Sequence, residues 1–281
     1  MTDFLYILGA SRSGSSLFEY WLGEEYSYST YGELRWVFER GILHNEICSC
    51  TENFEDCIFW KSIKSLHITR EKAFNFSSLR LFFDKPQNLL PIYFPWLRTK
   101  SWNKKWSQYS TELKSLYNEL YGISGQFIDN SKSPFYLLVL KEALDLKIRV
   151  VWFRRSIKGV VHSYSKTKRR LESPVPDTFM RKKGFLHASL YWFVIEWVSS
   201  TICRRHKDSI TIKYEDFIKN QSKFAAYFIN NIANKQNHSI SGNPDRLSGG
   251  LSKIKSPTLP RMTLAKEAVL NILQSLAPKN V

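Results

Sequence analysis

The stretch "LGASRSGSS" (residues 8–16) decides the interpretation of the chain, because it has the outline of a phosphate-binding loop. A short apolar run, "FLYIL" (4–8), precedes it, and "SSLFEYWLGEEY" (15–26), with apolar residues at helical spacing, follows it. A strand, a glycine turn and a helix in this order aim backbone N–H groups and the positive end of a helix dipole at an anion. The sequence therefore predicts an anion site at this turn.

The loop lacks the lysine that a nucleoside-triphosphate loop carries. Gly9 and Gly14 have the Walker A spacing, but Ser15 stands where a lysine would contact the outer phosphates. An arginine, Arg12, lies two residues before the second glycine. Spacing alone does not separate a ligand loop from a structural turn, so other segments must decide.

Length and charge restrict the classes of protein. A chain of 281 residues, 43% of them hydrophobic, can bury the core of one large α/β domain. The formal net charge of +16 favours anionic partners, namely nucleotides, nucleic acids, acidic glycans or a membrane surface. No apolar run reaches the roughly 18 residues of a membrane span, and the first residues lack the basic flank of a signal peptide. We expect a single cytoplasmic domain over residues 1–281, with no membrane partner.

Strand and helix patterns alternate along the chain. The runs 125–132 and 148–155 resemble buried strands that end in polar residues, while 133–146 and 187–206 have apolar positions three and four apart. This alternation predicts an α/β fold with three layers and a mostly parallel sheet, whose carboxyl edge is the candidate site. Residues 61–124, rich in aromatic and basic side chains, are predicted to be helices and loops of an acceptor-binding insertion.

A second phosphate site is predicted after the strand "VVWFRR". This strand ends at Arg155, and Ser163 follows eight residues later in a helical pattern, so the arginine and the hydroxyl can converge on one phosphate. Two phosphate sites on one sheet edge favour a ligand with two separate phosphates.

These motifs resemble those of sulfotransferases. "SRSGSSL" (11–17) is similar to their 5′-phosphosulfate loop, and "RSIKGVVHSY" (155–164) is similar to their 3′-phosphate motif, although Ser156 and Ile157 depart from the usual Asp or Asn followed by Pro. "KYEDF" (213–217) resembles a downstream Tyr-Glu-Asp-Leu segment of the same proteins. Further segments resemble bacterial members: 32–41, 47–60, 127–136 and 238–247. The resemblance implies a sulfotransferase fold of the P-loop NTPase-like kind.

The resemblance implies the donor 3′-phosphoadenosine 5′-phosphosulfate (PAPS), which has no γ-phosphate and so needs no Walker lysine. Arg12 would lie along the oxygen that bridges phosphate and sulfate. Arg155 and Ser163 would bind the 3′-phosphate. Arg246, in "GNPDR", is the candidate for a basic loop over the nucleotide, with Lys253 and Lys255 as substitutes. The 5′-phosphate would be bound at Ser13, Gly14, Ser15 and Ser16.

Transfer to an acceptor needs a general base. "KSPFY" (132–136) resembles the Lys-Ser/Thr-Pro-x-Tyr segment of heparan-type sulfotransferases, which implies that Lys132 stabilises the transferred group. "GELRW" resembles the Gly-Glu-x-x-Arg segment of tyrosylprotein sulfotransferases, which implies that Glu33 is the base. The alternative for Glu33 is a glutamate paired with Arg35 or Arg40. Positive neighbours would lower its pKa and burial would raise it, and the sequence leaves the balance open.

The histidines and cysteines are not expected to act as bases or metal ligands. His162 and His187 lie in helical patterns and are not expected to act as bases. The spelling His-x3-Cys-x-Cys-x6-Cys offers enough ligands for a four-coordinate zinc: His44, Cys48, Cys50 and Cys57. Cys-x-Cys is not a usual zinc spacing, however, and thiols beside aromatic residues are as easily packed in a core. We expect no metal.

Alternatives stay open both for the acceptor and for the class of protein. The acceptor is expected to be a hydroxyl or amine of a small metabolite, with a glycan or lipid-linked sugar as the alternative. A P-loop kinase could use Asp129 at the end of "QFID", and a polyanion or nucleic-acid binder could use the basic aromatic runs 98–106 and 164–170. The second class leaves the glycine loop unexplained, so no nucleic-acid partner is expected. The oligomeric state is not predicted.

Overall fold

The protein contains a five-stranded sheet, shown here in a computed structural model that describes residues 4–26, 28–221, 224 and 262–278. The strands lie in the order β2-β3-β1-β4-β5, and every neighbouring pair is parallel. Their bounds are Phe4–Leu8 (β1), Ser29–Thr30 (β2), Phe127–Lys132 (β3), Ile148–Arg154 (β4) and Ser209–Lys213 (β5). The predicted α/β class with a parallel sheet is confirmed.

Helices connect the strands, as parallel neighbours require. The α-helices are Ser15–Tyr26 (α1), Ile58–Ser62 (α2), Arg70–Phe83 (α3), Leu90–Tyr93 (α4), Lys100–Ser124 (α5), Pro134–Ala143 (α6), Ile157–Ser165 (α7), Phe185–Arg205 (α8), Tyr214–Lys219 (α9) and Leu264–Leu276 (α10). Short 3₁₀ turns lie at Leu34–Trp36, Lys64–Leu66, Pro86–Leu89 and Pro95–Leu97, and a π-helical segment spans Val37–Leu43. None of the helices in the described part of the chain is long and apolar enough to cross a membrane.

The central strand β1 buries both of its faces. Phe4, Tyr6 and Leu8 pack on one side with residues of α3, α5 and α6, whereas Leu5 and Ile7 pack on the other side with residues of α1 and α9. Because successive side chains of a strand point to opposite faces, a continuous apolar run is what a strand covered on both sides requires. Helices on both faces give the predicted three layers.

Local capping residues explain where several helices begin. The side chains of Thr69, Thr99 and Ser133 accept hydrogen bonds from amides in the first turns of α3, α5 and α6. Gly125 ends α5 with φ of 67°, a conformation that favours glycine. Residues 61–124 are therefore mostly helix, and α3 and α5 contribute buried side chains to the larger core. A role of this segment in acceptor binding stays a prediction.

The strand order places the glycine loop at the centre of the carboxyl edge. Leu8, the last residue of β1, is in register with Lys132 at the end of β3 and with Trp152 near the end of β4. The segments that follow these strands therefore converge, which is where open parallel sheets bind ligands.

Candidate active site

Both glycines of the loop are required by conformation and by space. Gly9 has φ of 150°, and a Cβ atom there would lie 2.4 Å from the carbonyl oxygen of Phe153. Gly14 has φ of 92°, and its Cβ would lie 2.5 Å from the Tyr214 ring. The Gly9 amide donates to the Lys132 carbonyl at 3.1 Å, which fastens the loop to β3. The loop thus lies close against both neighbouring strands.

Arg12 is held in the middle of this loop in a left-handed conformation, with φ of 70°. Its guanidinium lies 5.7 Å from the centre of the Tyr164 ring, and its Nη1 atom contacts the sulfur of Met180. Burial lowers the pKa of Arg12, although an arginine stays charged in proteins. The Arg12 Nη2 and Ser13 Oγ atoms are buried and have no hydrogen-bond partner among the described residues. Buried polar atoms without partners are costly, which favours an anion at this point.

Two further loop amides, besides that of Gly9, already have acceptors. The Ser11 amide donates to the Tyr191 hydroxyl at 3.0 Å, and the Ser13 amide donates to the Ala10 carbonyl at 3.3 Å. Ser15 and Ser16 begin α1, where amides have no carbonyl partner within the helix. These two residues supply the best placed amides for a phosphate.

Lys132 and Glu33 form an ion pair beside the loop. Lys132 ends β3 in a left-handed conformation, with φ of 65°, and its Nζ atom contacts Glu33 Oε1. Arg40 lies 3.4 Å from the other carboxylate oxygen. Burial acts to raise the pKa of Glu33, but Lys132, Arg40 and Arg35 outweigh it, so the pKa lies below its ordinary value. The alternative of a glutamate paired with Arg40 is thus present in the structure together with the Lys132 pair, and the role of Glu33 as a base stays a prediction.

The position of Glu33 is fixed by a buried network beneath it. After β2 the chain turns at Gly32, which has φ of 68°. The Gly32 amide donates to Glu19 of α1 at 2.9 Å, and the Asn130 side chain donates to the same carboxylate at 2.8 Å. The Asn130 amide donates to the Gly32 carbonyl at 2.8 Å. Helix α1 and strand β3 therefore hold Glu33 over the end of β3.

Arg155 joins the loop from the other side. Its Nη1 atom donates to the Arg12 carbonyl at 3.0 Å, and its guanidinium lies 4.4 Å from the centre of the Tyr214 ring. The side chain crosses the first turn of α7 at Gly159, where a Cβ atom would lie 2.6 Å from Arg155 Nε. Ser163 lies near the end of α7, partly exposed. The structure brings Arg155 against the loop that carries Arg12.

Several residues at this edge were not found by sequence reasoning. A hairpin bridged by Arg169 and Phe179 runs beside the loop and brings Met180 to Arg12. Partial desolvation and repulsion from Arg12 and Lys132 lower the pKa of Lys168 at the start of this hairpin. In the sequence, the basic run 164–170 was the only feature that pointed to this hairpin. Taken alone, that run favours a surface that binds polyanions.

His162 is a further residue that the sequence did not mark as functional. Its Nε2 atom is buried without a hydrogen-bond partner among the described residues. Desolvation and the charges of Lys166 and Arg155 lower its pKa. A neutral imidazole beside Arg155 can donate or accept one hydrogen bond to a ligand.

A cavity of about 390 Å³ opens between this edge and α8. Its polar side includes Ser11, Arg35 and Lys132, and its apolar side includes Leu190 and Val194. His187, interpreted as an ordinary helical residue from the sequence, also lines it. The cavity can therefore take a molecule with one polar end and present that end to Lys132.

Two sequence predictions lie apart from this site. Arg246, with its substitutes Lys253 and Lys255, lies outside the described residues. The thiols of Cys48, Cys50 and Cys57 form a cluster in which all three sulfur atoms lie within 4.8 Å of one another. His44 is not a member of this cluster.

No protein-family model matches the sequence, and no curated protein matches it. Among solved structures, the chain is similar to a sulfotransferase domain from the curacin biosynthetic pathway, with a TM-score of 0.43 and 14% sequence identity. The similarity covers 84% of this chain and 76% of that domain. The order and parallel pairing of the strands in this chain themselves establish the α/β fold.

Proposed function

We propose that this protein is a sulfotransferase that moves the sulfuryl group of PAPS to a hydroxyl or amine of a small molecule. The observation that carries the proposal is the Glu33–Lys132 ion pair, which lies at the same sheet edge as Arg12 and Arg155. A base, a cation for the transferred group and two arginines for phosphates are the groups that this reaction needs.

The residues fit PAPS better than ATP. Position 15 is a serine, so the loop offers no lysine to a γ-phosphate. Asp129, the carboxylate that a kinase would need for magnesium, is fully buried. It accepts hydrogen bonds from the Ser131 amide at 2.9 Å and the Tyr117 hydroxyl at 2.6 Å. Because these hydrogen bonds use the Asp129 carboxylate, it is poorly placed to bind magnesium at the glycine loop.

The proposed reaction is an in-line transfer. The bond between the sulfur and the bridging oxygen of PAPS breaks as the acceptor oxygen or nitrogen forms a new bond to sulfur. Glu33 accepts the acceptor proton, and Arg12 and Lys132 stabilise charge on the leaving oxygen and the sulfuryl group. The products are the sulfated acceptor and 3′-phosphoadenosine 5′-phosphate (PAP). None of these steps uses a metal.

The acceptor is proposed to bind in the cavity next to Lys132. About 390 Å³ suits a metabolite of modest size, and the apolar side formed with Leu190 and Val194 suits a ring or a short chain. The polar end of such a molecule would lie toward Glu33 and Lys132.

Calorimetric titration with PAP, AMP and ATP, in the presence of EDTA, tests the donor. We expect PAP to bind at micromolar concentration or tighter and AMP to bind at least about tenfold more weakly, because the 3′-phosphate contact is charge-assisted. Arg155→Ala should weaken PAP binding roughly 10- to 100-fold, whereas Arg204→Ala, which removes an exposed arginine at the end of α8, should not.

Two results would contradict the donor assignment: equal affinity for PAP and AMP, or binding of ATP alone and only with magnesium. Incubation of PAPS with a panel of small hydroxyl and amine compounds then tests transfer. The expected product carries one additional SO₃ group by mass spectrometry. Sulfation of glycans or lipid-linked sugars alone would replace the small-molecule assignment.

A further inference from the structure

We propose that Cys48, Cys50 and Cys57 form a binding site for a thiophilic metal ion, with zinc as the expected occupant and a structural role. All three sulfur atoms lie within 4.8 Å of one another, so a modest side-chain adjustment would let one ion contact all three at about 2.3 Å. Soft thiolates favour zinc or copper(I) over magnesium and calcium, which prefer oxygen ligands. This site lies outside the groups that the transfer reaction uses.

The spacing of the sulfur atoms suits a metal better than a disulfide. The Cys48 and Cys57 sulfurs are 3.8 Å apart. Two thiolates on a tetrahedral zinc, each at about 2.3 Å from the metal, lie roughly 3.8 Å apart. A disulfide requires about 2.05 Å between the sulfurs. The Cys48–Cys57 pair therefore already has the spacing of two zinc thiolates, and Cys50 lies within 4.8 Å of both.

The local backbone turns the three cysteines toward one point. A bridge between Ile47 and Asn53 closes a tight turn, in which the Thr51 amide donates to the Cys48 carbonyl at 3.0 Å. Cys50 is the third residue of the turn that this bond closes, so it lies near Cys48, and left-handed Thr51, with φ of 78°, then folds the chain back toward Asn53. The Cys57 amide donates to the Asn53 carbonyl at 3.0 Å, which brings in the third thiol.

Burial of the cluster is uneven. Cys48 and Cys57 are buried, and Phe54 and Trp60 pack in the same core region. Cys50 is exposed. A metal can therefore enter from the Cys50 side, and water would complete a tetrahedral site there, which makes this a three-thiolate site with one open position rather than one closed by four protein ligands.

The cysteine loop is connected to the candidate active site. The Ile47 amide donates to the Glu172 carbonyl at 2.8 Å, and Arg170 pairs with Glu46 at 2.5 Å. Glu172 and Arg170 belong to the hairpin that brings Met180 to Arg12. A metal that fixes the cysteine loop would therefore stabilise the hairpin beside the glycine loop.

Titration of the reduced, metal-free protein with cobalt(II), followed by zinc, tests the site. We expect one cobalt ion per chain, with intense visible bands and a thiolate charge-transfer band, and displacement of both by one equivalent of zinc. Cys50→Ser should lose these signals with little effect on folding, because Cys50 is exposed. Cys203→Ser, which changes a buried thiol outside the cluster, should retain them.

Thermal unfolding gives a second measurement that needs no transfer activity. Zinc should raise the unfolding temperature of the wild type and of Cys203→Ser but not that of Cys50→Ser. The proposal is overturned if the reduced protein binds less than one cobalt ion at micromolar concentration. It is equally overturned if Cys50→Ser binds cobalt as tightly as the wild type.

Discussion

At the scale of single residues, the candidate site contains two left-handed residues that are not glycine. Arg12 has φ of 70° and Lys132 has φ of 65°. This conformation costs roughly 1–3 kcal/mol per residue. Lys132 ends β3, and its side chain reaches Glu33 from that position. The strain is thus located at the two cations that we assign to the reacting group.

Glu33→Gln tests the proposed base. The substitution keeps the side-chain shape but removes proton acceptance, so we expect the transfer rate to fall by about 10²- to 10⁴-fold. PAP affinity should change little, because Glu33 is not assigned to the nucleotide. Transfer assays and calorimetry measure the two effects separately, and Glu71→Gln, an exposed glutamate of α3, is the matched control.

The pH profile of the wild type tests whether the base is a carboxylate such as Glu33 or a histidine. Because its positive neighbours hold the Glu33 pKa below its ordinary value, activity should persist as the pH falls to about 4.5. Loss of activity around pH 6 to 7 would instead indicate a histidine base. Full activity of Glu33→Gln would also remove Glu33 from the mechanism.

At the scale of elements, the start of α7 is shaped to carry Arg155. The Ser156 side chain caps the helix by accepting from the Gly159 amide at 3.3 Å. Trp192 of α8 donates to the Arg155 carbonyl at 2.9 Å. The absence of a side chain at Gly159 leaves room for the Arg155 side chain to lie across the first turn. A glycine inside this helix therefore serves the arginine at some cost in helix stability.

Gly159→Ala separates binding from stability at this turn. Alanine favours a helix by about 1 kcal/mol over glycine. The free energy of unfolding should therefore be unchanged or higher. The new Cβ would lie 2.6 Å from Arg155 Nε, which should displace the guanidinium and weaken PAP binding. We expect about a tenfold loss, measured by calorimetry beside denaturant unfolding.

The control for this substitution is Gly122→Ala in α5. A Cβ at Gly122 meets nothing within 4 Å, so this variant should be stabilised without any change in PAP affinity. If Gly159→Ala bound PAP as tightly as the wild type, the placement of Arg155 at the 3′-phosphate would be wrong.

At the scale of the whole molecule, the sheet buries a carboxylate that opposes stability at neutral pH. Burial raises the pKa of Asp129 from its ordinary value of 3.8 to about 7, even though Ser131 and Tyr117 donate hydrogen bonds to it. Between these two values the folded protein binds more protons at Asp129 than the unfolded chain does. The contribution of Asp129 to the free energy of unfolding should therefore fall as the pH rises from about 4 to 7.

Asp129→Asn tests this pH dependence. The variant cannot titrate at position 129. Between about pH 4 and 7 its free energy of unfolding should therefore lose less than that of the wild type, and the difference between the two proteins should be at most roughly 4 kcal/mol. Glu196, whose pKa burial also raises to about 7 despite Arg154, preserves part of the slope. Denaturant unfolding at several pH values measures the difference, and Asp145→Asn, an exposed aspartate, is the control. An unchanged slope in Asp129→Asn would refute the assignment.

Sequence patterns alone predict the parallel α/β fold, the glycine loop and helices α1, α6 and α8, whereas for residues 61–124 they predict only helices and loops. These predictions succeed because they depend on local causes, namely apolar periodicity and a glycine turn between a strand and a helix. Helix α1, for example, spans the predicted residues 15–26. Local sequence patterns also predicted Arg12 and Arg155 as phosphate ligands, and in the structure Arg155 donates to the Arg12 carbonyl.

The electrostatic environment of Glu33, the neighbours of Arg12 and the meeting of the three cysteines depend on the packing of distant parts of the chain. The pKa of Glu33 depends on Lys132, which is distant in sequence, and on the balance between burial and that charge. Met180 reaches Arg12 through a hairpin whose path no local pattern encodes. Cys50 lies near Cys48 through the turn closed by the Thr51 amide, and Cys57 joins them through its amide bond to the Asn53 carbonyl. Contacts between distant residues depend on the packing of the whole chain, so local sequence patterns do not determine them.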